Sequence, residues 1–160
     1  MGDDATDEPP TTGRLDQPTM QTIGRRAQSH WLVESGEFVP DSLSPRSLEI
    51  SLHSAAYPES VTAARIEIHW FVTGDYYVHY IESRGETHYQ CRWDRHPKTN
   101  APRTHFHPLP DAGEAVGSSV GTHPWQSCLV YSTGRANGST NYESRRVFIS
   151  NSALHVEVGA

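Results

Sequence analysis

Three histidines, three arginines, a lysine and an aspartate crowd into CRWDRHPKTNAPRTHFHP, the stretch from Cys91 to Pro108. Histidine exchanges protons near neutral pH, and guanidinium groups hold phosphate or carboxylate charge. His96, His105 and His107 with Arg92, Arg95 and Arg103 therefore contain the parts for cleaving an RNA phosphodiester without a metal or other cofactor. One imidazole would take the proton of the attacking 2′-hydroxyl, a second would protonate the leaving oxygen, and a guanidinium would carry the phosphate charge. Asp94 completes the set of candidate catalytic residues.

Other chemistries compete for the same stretch. On extended backbone His105-x-His107 puts both imidazoles on one side, and His96, Asp94 or Cys91 would complete a set of N, O and S metal ligands. That spacing matches no established zinc signature, and three prolines suggest an irregular loop carrying surface histidines, so no metal is expected. Tyr76, Tyr77, Trp93 and Phe106 interleave with arginines as in sheets that stack bases, although core packing explains the inward aromatics better. Acyl transfer has little support, because Cys91 has core parity and no serine elbow is present.

The elements that must position these residues are strands. SLEISLH (47–53), ARIEIHWFV (64–72), YYVHYIE (76–82) and THYQCRWD (87–94) each alternate apolar and polar residues. Short loops at Thr73-Gly74-Asp75 and Ser83-Arg84-Gly85-Glu86 make them an antiparallel meander of about four strands. Those loop lengths pair Trp70 with Val78 and Tyr80 with Tyr89. One face then carries Ile66, Ile68, Trp70, Val78, Tyr80, Tyr89, Cys91 and Trp93. The other gathers His69, Tyr77, His79, Gln90, Arg92 and Asp94. A slip of one residue would exchange the faces, so the parity is firmly specified.

An aromatic sheet face needs a cover, most naturally a helix, which makes the expected class α+β. Its source is less evident. QTIGRRAQSHWLVE could form a short helix, but Gly24 weakens it. The first 28 residues are acidic and rich in proline and threonine, with four of the nineteen acids in the first eight positions, and they read as a disordered leader. The core domain is expected over about 30–124, followed by a tail, 125–160, of uncertain character. No signal peptide or membrane-spanning run appears, so a cytoplasmic protein is expected. The net charge of −6 hides a basic segment: residues 84–107 hold five Lys/Arg against Glu86 and Asp94. The two cysteines, Cys91 and Cys128, are too few for a disulfide framework or a four-thiolate zinc site.

The hairpin carrying Trp70 and Gly74-Asp75, the strand ending in Arg92-Trp93-Asp94, and the loop from His96-Pro97 to His105-x-His107 together resemble the TumE-like toxin family, in its haloarchaeal branch. The resemblance covers about residues 47–113. It implies a toxin of a two-gene toxin–antitoxin module, partnered by a helix-turn-helix antitoxin, and it marks Arg92, Trp93, Asp94, Arg95, His96, His105 and His107 as the matching positions. RNA is the expected target, and no membrane partner is expected. The alternative is a small non-catalytic β-domain that binds a protein or nucleic acid.

Members of that family follow the histidine loop with an amphipathic helix, which this chain lacks. Reverse translation of Pro124 to Tyr142, read from the third base of the proline codon with TCN serine codons, restores helix-like apolar spacing. The tail from about Trp125 onward is thus expected to be out of its original frame. The competing expectation is a diverged tail, with RRVFIS and ALHVEVG as strands.

Overall fold

The computed structural model describes residues 13–97 and 102–115, together with the backbone of residues 116–117, 126–136, 139–149 and 154–158. The element order opens with helix α1 (Gln17–Ala27) and continues through β1 (Val33–Val39), β2 (Ser47–Leu52), β3 (Ala63–Trp70), β4 (Tyr76–Arg84), β5 (Thr87–Arg95), β6 (Thr104–His107) and β7 (Val116–Gly117). The seven strands form one antiparallel sheet in sequence order, the seventh only two residues long. The class is α+β, as expected, but the meander is longer than four strands.

The four expected strands are β2 to β5. Those added at the edges had weaker signals. β1 contains Gly36 and a register irregularity at Val33/Ser35, so its alternation is broken. β6 is short and flanked by prolines, which disguised it as an irregular loop. It pairs residue for residue with the end of β5, from Arg92↔His107 to Arg95↔Thr104.

Both central hairpins are offset by two residues from the expected pairing. Trp70 faces Tyr76 and Ile68 faces Val78, across a turn closed by the Phe71 amide donating to the Asp75 carbonyl. Tyr80 faces Cys91 because the next turn is the tight pair Gly85-Glu86, where Gly85 takes a φ of +59° that suits glycine. An even offset returns each side chain to its own face, so the face assignment holds although the partners differ.

The cover for the apolar face lies in the segment assigned to the leader. Residues 13–28 are ordered: Leu15 bridges to Phe71, the Asp16 amide donates to the Trp70 carbonyl, and α1 follows. The Asp16 carboxylate caps the helix by accepting from the Thr19 amide (3.1 Å) and hydroxyl (2.8 Å). Met20, Ile23, Gly24 and Ala27 recur at helical spacing and are buried. This stripe is sparse enough to look like disorder by composition, but the sheet supplies most of the apolar surface. Gly24 sits over Leu48, and a Cβ there would meet its two methyl carbons at 3.5 Å. The core joins Met20, Ile23 and Ala27 to Leu48, Ile50, Ile66, Ile68, Val78, Tyr80, Cys91 and Trp93. Tyr89, expected inward, is partly exposed beneath the Arg84 guanidinium. Residues 1–12 of the expected leader lie outside the described residues.

Toward the C-terminus, β8 (Gln126–Ala136), β9 (Ser139–Ile149) and β10 (Leu154–Val158) form a separate antiparallel sheet in the order β10-β9-β8. RRVFI lies in β9 and LHVEV is β10. Among the described residues, no helix is long and apolar enough to cross a membrane.

Candidate functional site

On the sheet face opposite α1, register brings polar residues into rows that cross the strands. One row runs His69, Tyr77, Asp94 and His105; the next runs Glu67, His79, Arg92 and His107. His96 follows Asp94 by two residues and extends the face, its amide donating to the Arg103 carbonyl. The expected polar face therefore exists. It is not a solvated one at this end: Asp94 is 0% exposed, His105 1%, Tyr77 2%, and His96 and His107 7% each.

Asp94 is the hub. Its two carboxylate oxygens accept from the Arg92 Nε at 3.0 and 2.9 Å. Its Oδ2 also lies 3.1 Å from His107 Nε2 and 3.6 Å from His105 Nε2. The opposite ring nitrogens face backbone carbonyls: His107 Nδ1 is 2.7 Å from the Gly113 oxygen and His105 Nδ1 is 3.2 Å from the Pro102 oxygen. A carbonyl oxygen only accepts, so Nδ1 carries the proton in both rings, and both Nε2 atoms turn toward the carboxylate. The turn that supplies the Gly113 carbonyl is anchored on β5, where the Gln90 amide donates to Pro110 and the Ala112 amide to Gln90. His96 directs Nδ1 at the Pro97 carbonyl (2.9 Å) and lays its ring edge-on to His105, with centroids 4.8 Å apart, and beside Tyr77.

The surroundings shift several protonation equilibria. Burial, reinforced by the Asp94 charge, pushes the Tyr77 phenol up to about 12. Burial also holds His79 below the ordinary imidazole value, against the opposing hydrogen bond to Gln90. Glu67 is lowered, chiefly by its hydrogen bond with His69, 3.0 Å away.

Of the seven predicted site residues, Arg92, Asp94, His96, His105 and His107 come together. Arg95 does not: it shares the parity of Trp93, so it lies on the helix side of the sheet, exposed at the end of β5. Arg103 is half exposed and ion-paired with the buried Asp75 in the β3–β4 turn, leaving it at the rim of the cluster. Tyr77 was recognised as a residue of the polar face but not as part of the site. The parity it shares with His69 and His79 was the available signal. The Gly113 carbonyl left no sequence trace, because a backbone contact across a turn has no residue type. Cys91, weighed as a ligand, is buried on the opposite, apolar face.

The profile of one protein family, described as Toxin TumE, matches residues 21–125, well over half of the chain. The chain belongs to the TumE toxin family. The match covers the later part of α1, the whole seven-stranded sheet and every residue of the polar cluster. It begins within α1, which is further reason to count that helix as domain rather than leader. No curated protein and no solved structure matches the chain.

Proposed function

We propose that this toxin acts on RNA, with the Asp94 cluster as its chemical centre and a helix-turn-helix antitoxin as its partner. The observation that carries the reading is the burial of Asp94, His96, His105 and His107 on one sheet face, with Arg92 half-buried beside them. Burying charged and polar groups costs several kcal/mol each before their mutual attraction is counted, and well-packed apolar residues commonly replace such groups without loss. Retaining five of them against a fully formed opposite core fits a functional demand rather than a structural one. Arg103, half exposed at the rim of the cluster, supplies positive charge toward a polyanion, and His96 lies against His105 of the buried set. In this reading the histidines transfer protons at a phosphodiester, and Asp94 and Arg92 hold their rings in one tautomer and orientation.

The test is growth inhibition on induced expression, scored beside antitoxin co-purification. Replacing His96, His105 and His107 by glutamine should abolish inhibition and RNA cleavage by the purified chain while antitoxin binding persists. Inhibition that survives all three substitutions would instead favour a non-catalytic binding module.

We also infer that the tail from about Trp125 onward is out of its original frame. The family match ends at residue 125, where the alternative frame begins to encode apolar residues at helical spacing. The excess of arginine over lysine, twelve to one, fits the GC-rich coding of a haloarchaeal source. Resequencing the locus decides the matter: a confirmed single frame, with relatives that encode no helix in the alternative one, removes the inference.

A further inference from the structure

The geometry points to a divalent metal site formed by Asp94 Oδ2, His105 Nε2 and His107 Nε2, of a kind that takes a borderline transition ion such as Zn2+. The inference goes beyond the RNA-cleaving reading and stands or falls without it.

The three donor atoms lie within 4.8 Å of one another. A tetrahedral ion with bonds of about 2.0–2.1 Å sets its ligand atoms about 3.3 Å apart. The distances from Oδ2 to the two Nε2 atoms, 3.1 and 3.6 Å, bracket that value. The protonation pattern agrees. With Nδ1 of each ring donating to a carbonyl, the neutral imidazoles both aim a lone pair at the same carboxylate oxygen. His107 Nε2 also lies 3.4 Å from Arg92 Nη2, on the guanidinium that holds the carboxylate. A single ion satisfies all three donors at once.

The outer contacts are those that metal-binding histidines use. A carbonyl fixes the tautomer and ring orientation of each imidazole, and Arg92 holds the carboxylate through both of its oxygens. Two imidazoles and one carboxylate suit zinc, cobalt, iron or nickel better than calcium or magnesium, which prefer all-oxygen sets. The ligands come from adjacent strands in register, so the sheet ladder preorganises them. The sequence offered Asp94 as one of three possible partners for the two histidines, and the β5–β6 ladder selects it by pairing Asp94 with His105. With an ion bound, His105 and His107 are ligands, and any proton transfer in the RNA-cleaving reading falls to His96, whose ring lies against His105.

The experiment uses the full, untagged chain, stripped with a chelator and titrated with Co2+ and then Zn2+. One equivalent of Co2+ should bind, give the visible absorption of a low-coordinate site, and be displaced by Zn2+. The absence of any binding tighter than about millimolar overturns the proposal. Asp94→Asn and His107→Gln should each weaken Zn2+ binding more than tenfold, judged on variants whose circular dichroism matches the parent chain. Unchanged affinity in such a folded variant overturns it as well. A readout on the unaltered chain guards against variants that fail to fold. Zn2+ should shift the Nε2 resonances of His105 and His107 while their Nδ1 atoms stay protonated, and shifts confined to other histidines overturn the proposal. None of these readouts involves RNA, so loss of the RNA-cleaving reading leaves metal binding to be judged by itself.

Discussion

Asp94 concentrates the electrostatics of the buried face, because Arg92, His105 and His107 all converge on its carboxylate. Removing it leaves the Arg92 guanidinium, whose side chain is only 12% exposed, without its carboxylate. Asp94→Ala is therefore expected to cost about 3–5 kcal/mol in urea unfolding, and the double change Asp94→Leu with Arg92→Met clearly less. A double change as damaging as the single one would show that the ion pair itself holds the sheet together. Two titrations bracket the stability profile. His79 is held below its ordinary 6.5 by burial, so the unfolded chain takes up its proton first. Its contribution is complete above about pH 6.5 and is lost as the pH falls through its lowered folded value. His79→Gln should flatten that acid limb. Tyr77, pushed up to about 12, acts in the opposite sense: its contribution is whole below the ordinary phenol range near 10 and is lost as the pH rises toward 12. Tyr77→Phe should flatten the alkaline limb, read as unfolding midpoint against pH.

α1 gains its place from a sparse apolar stripe, and Gly24 sits in the middle of it. Glycine in a helix interior costs about 0.5–1 kcal/mol relative to alanine, and here the added Cβ would make ordinary contact with Leu48 at 3.5 Å. Gly24→Ala is accordingly expected to stabilise the chain by that amount, seen as a rise of a few degrees in thermal midpoint. Gly24→Leu should lower it, because a longer side chain must push into Leu48. A fall with alanine would mean that α1 packs against the sheet more tightly than this spacing. β6 illustrates the same competition. Prolines on both sides argued for a loop, but four ladder pairings with β5 prevailed, and they carry two of the three clustered histidines.

At the scale of the molecule, one sheet separates two environments with opposite demands, an aliphatic and aromatic core under α1 and a buried polar face behind it. Cys91 reports on the first. It lies in central β5 and is 0% exposed, so a thiol reagent should modify it only as fast as the whole sheet opens. In a Cys128→Ser background, the labelling free energy of Cys91 should equal the global unfolding free energy. Labelling much faster than global unfolding would mean that β5 opens locally.

Residue periodicity by itself determined the faces: alternation in β2 to β5 separated Cys91 and Trp93 from Arg92 and Asp94, and it tolerated a two-residue error in both hairpins because the side-chain period is two. It also identified Arg92, Asp94, His96, His105 and His107 as candidates, since unusual residue types in a short stretch are visible without any structure. Arg95 shows the limit of that criterion, being the right type on the wrong face. What the tertiary structure alone decided was association across the chain: the seat of α1 on the sheet, β6 as a strand, and two imidazole nitrogens around one carboxylate oxygen. Those outcomes depend on ladder pairing and on backbone carbonyls from Pro102 and Gly113. Such interactions form between segments distant in sequence, and side-chain identity does not encode them.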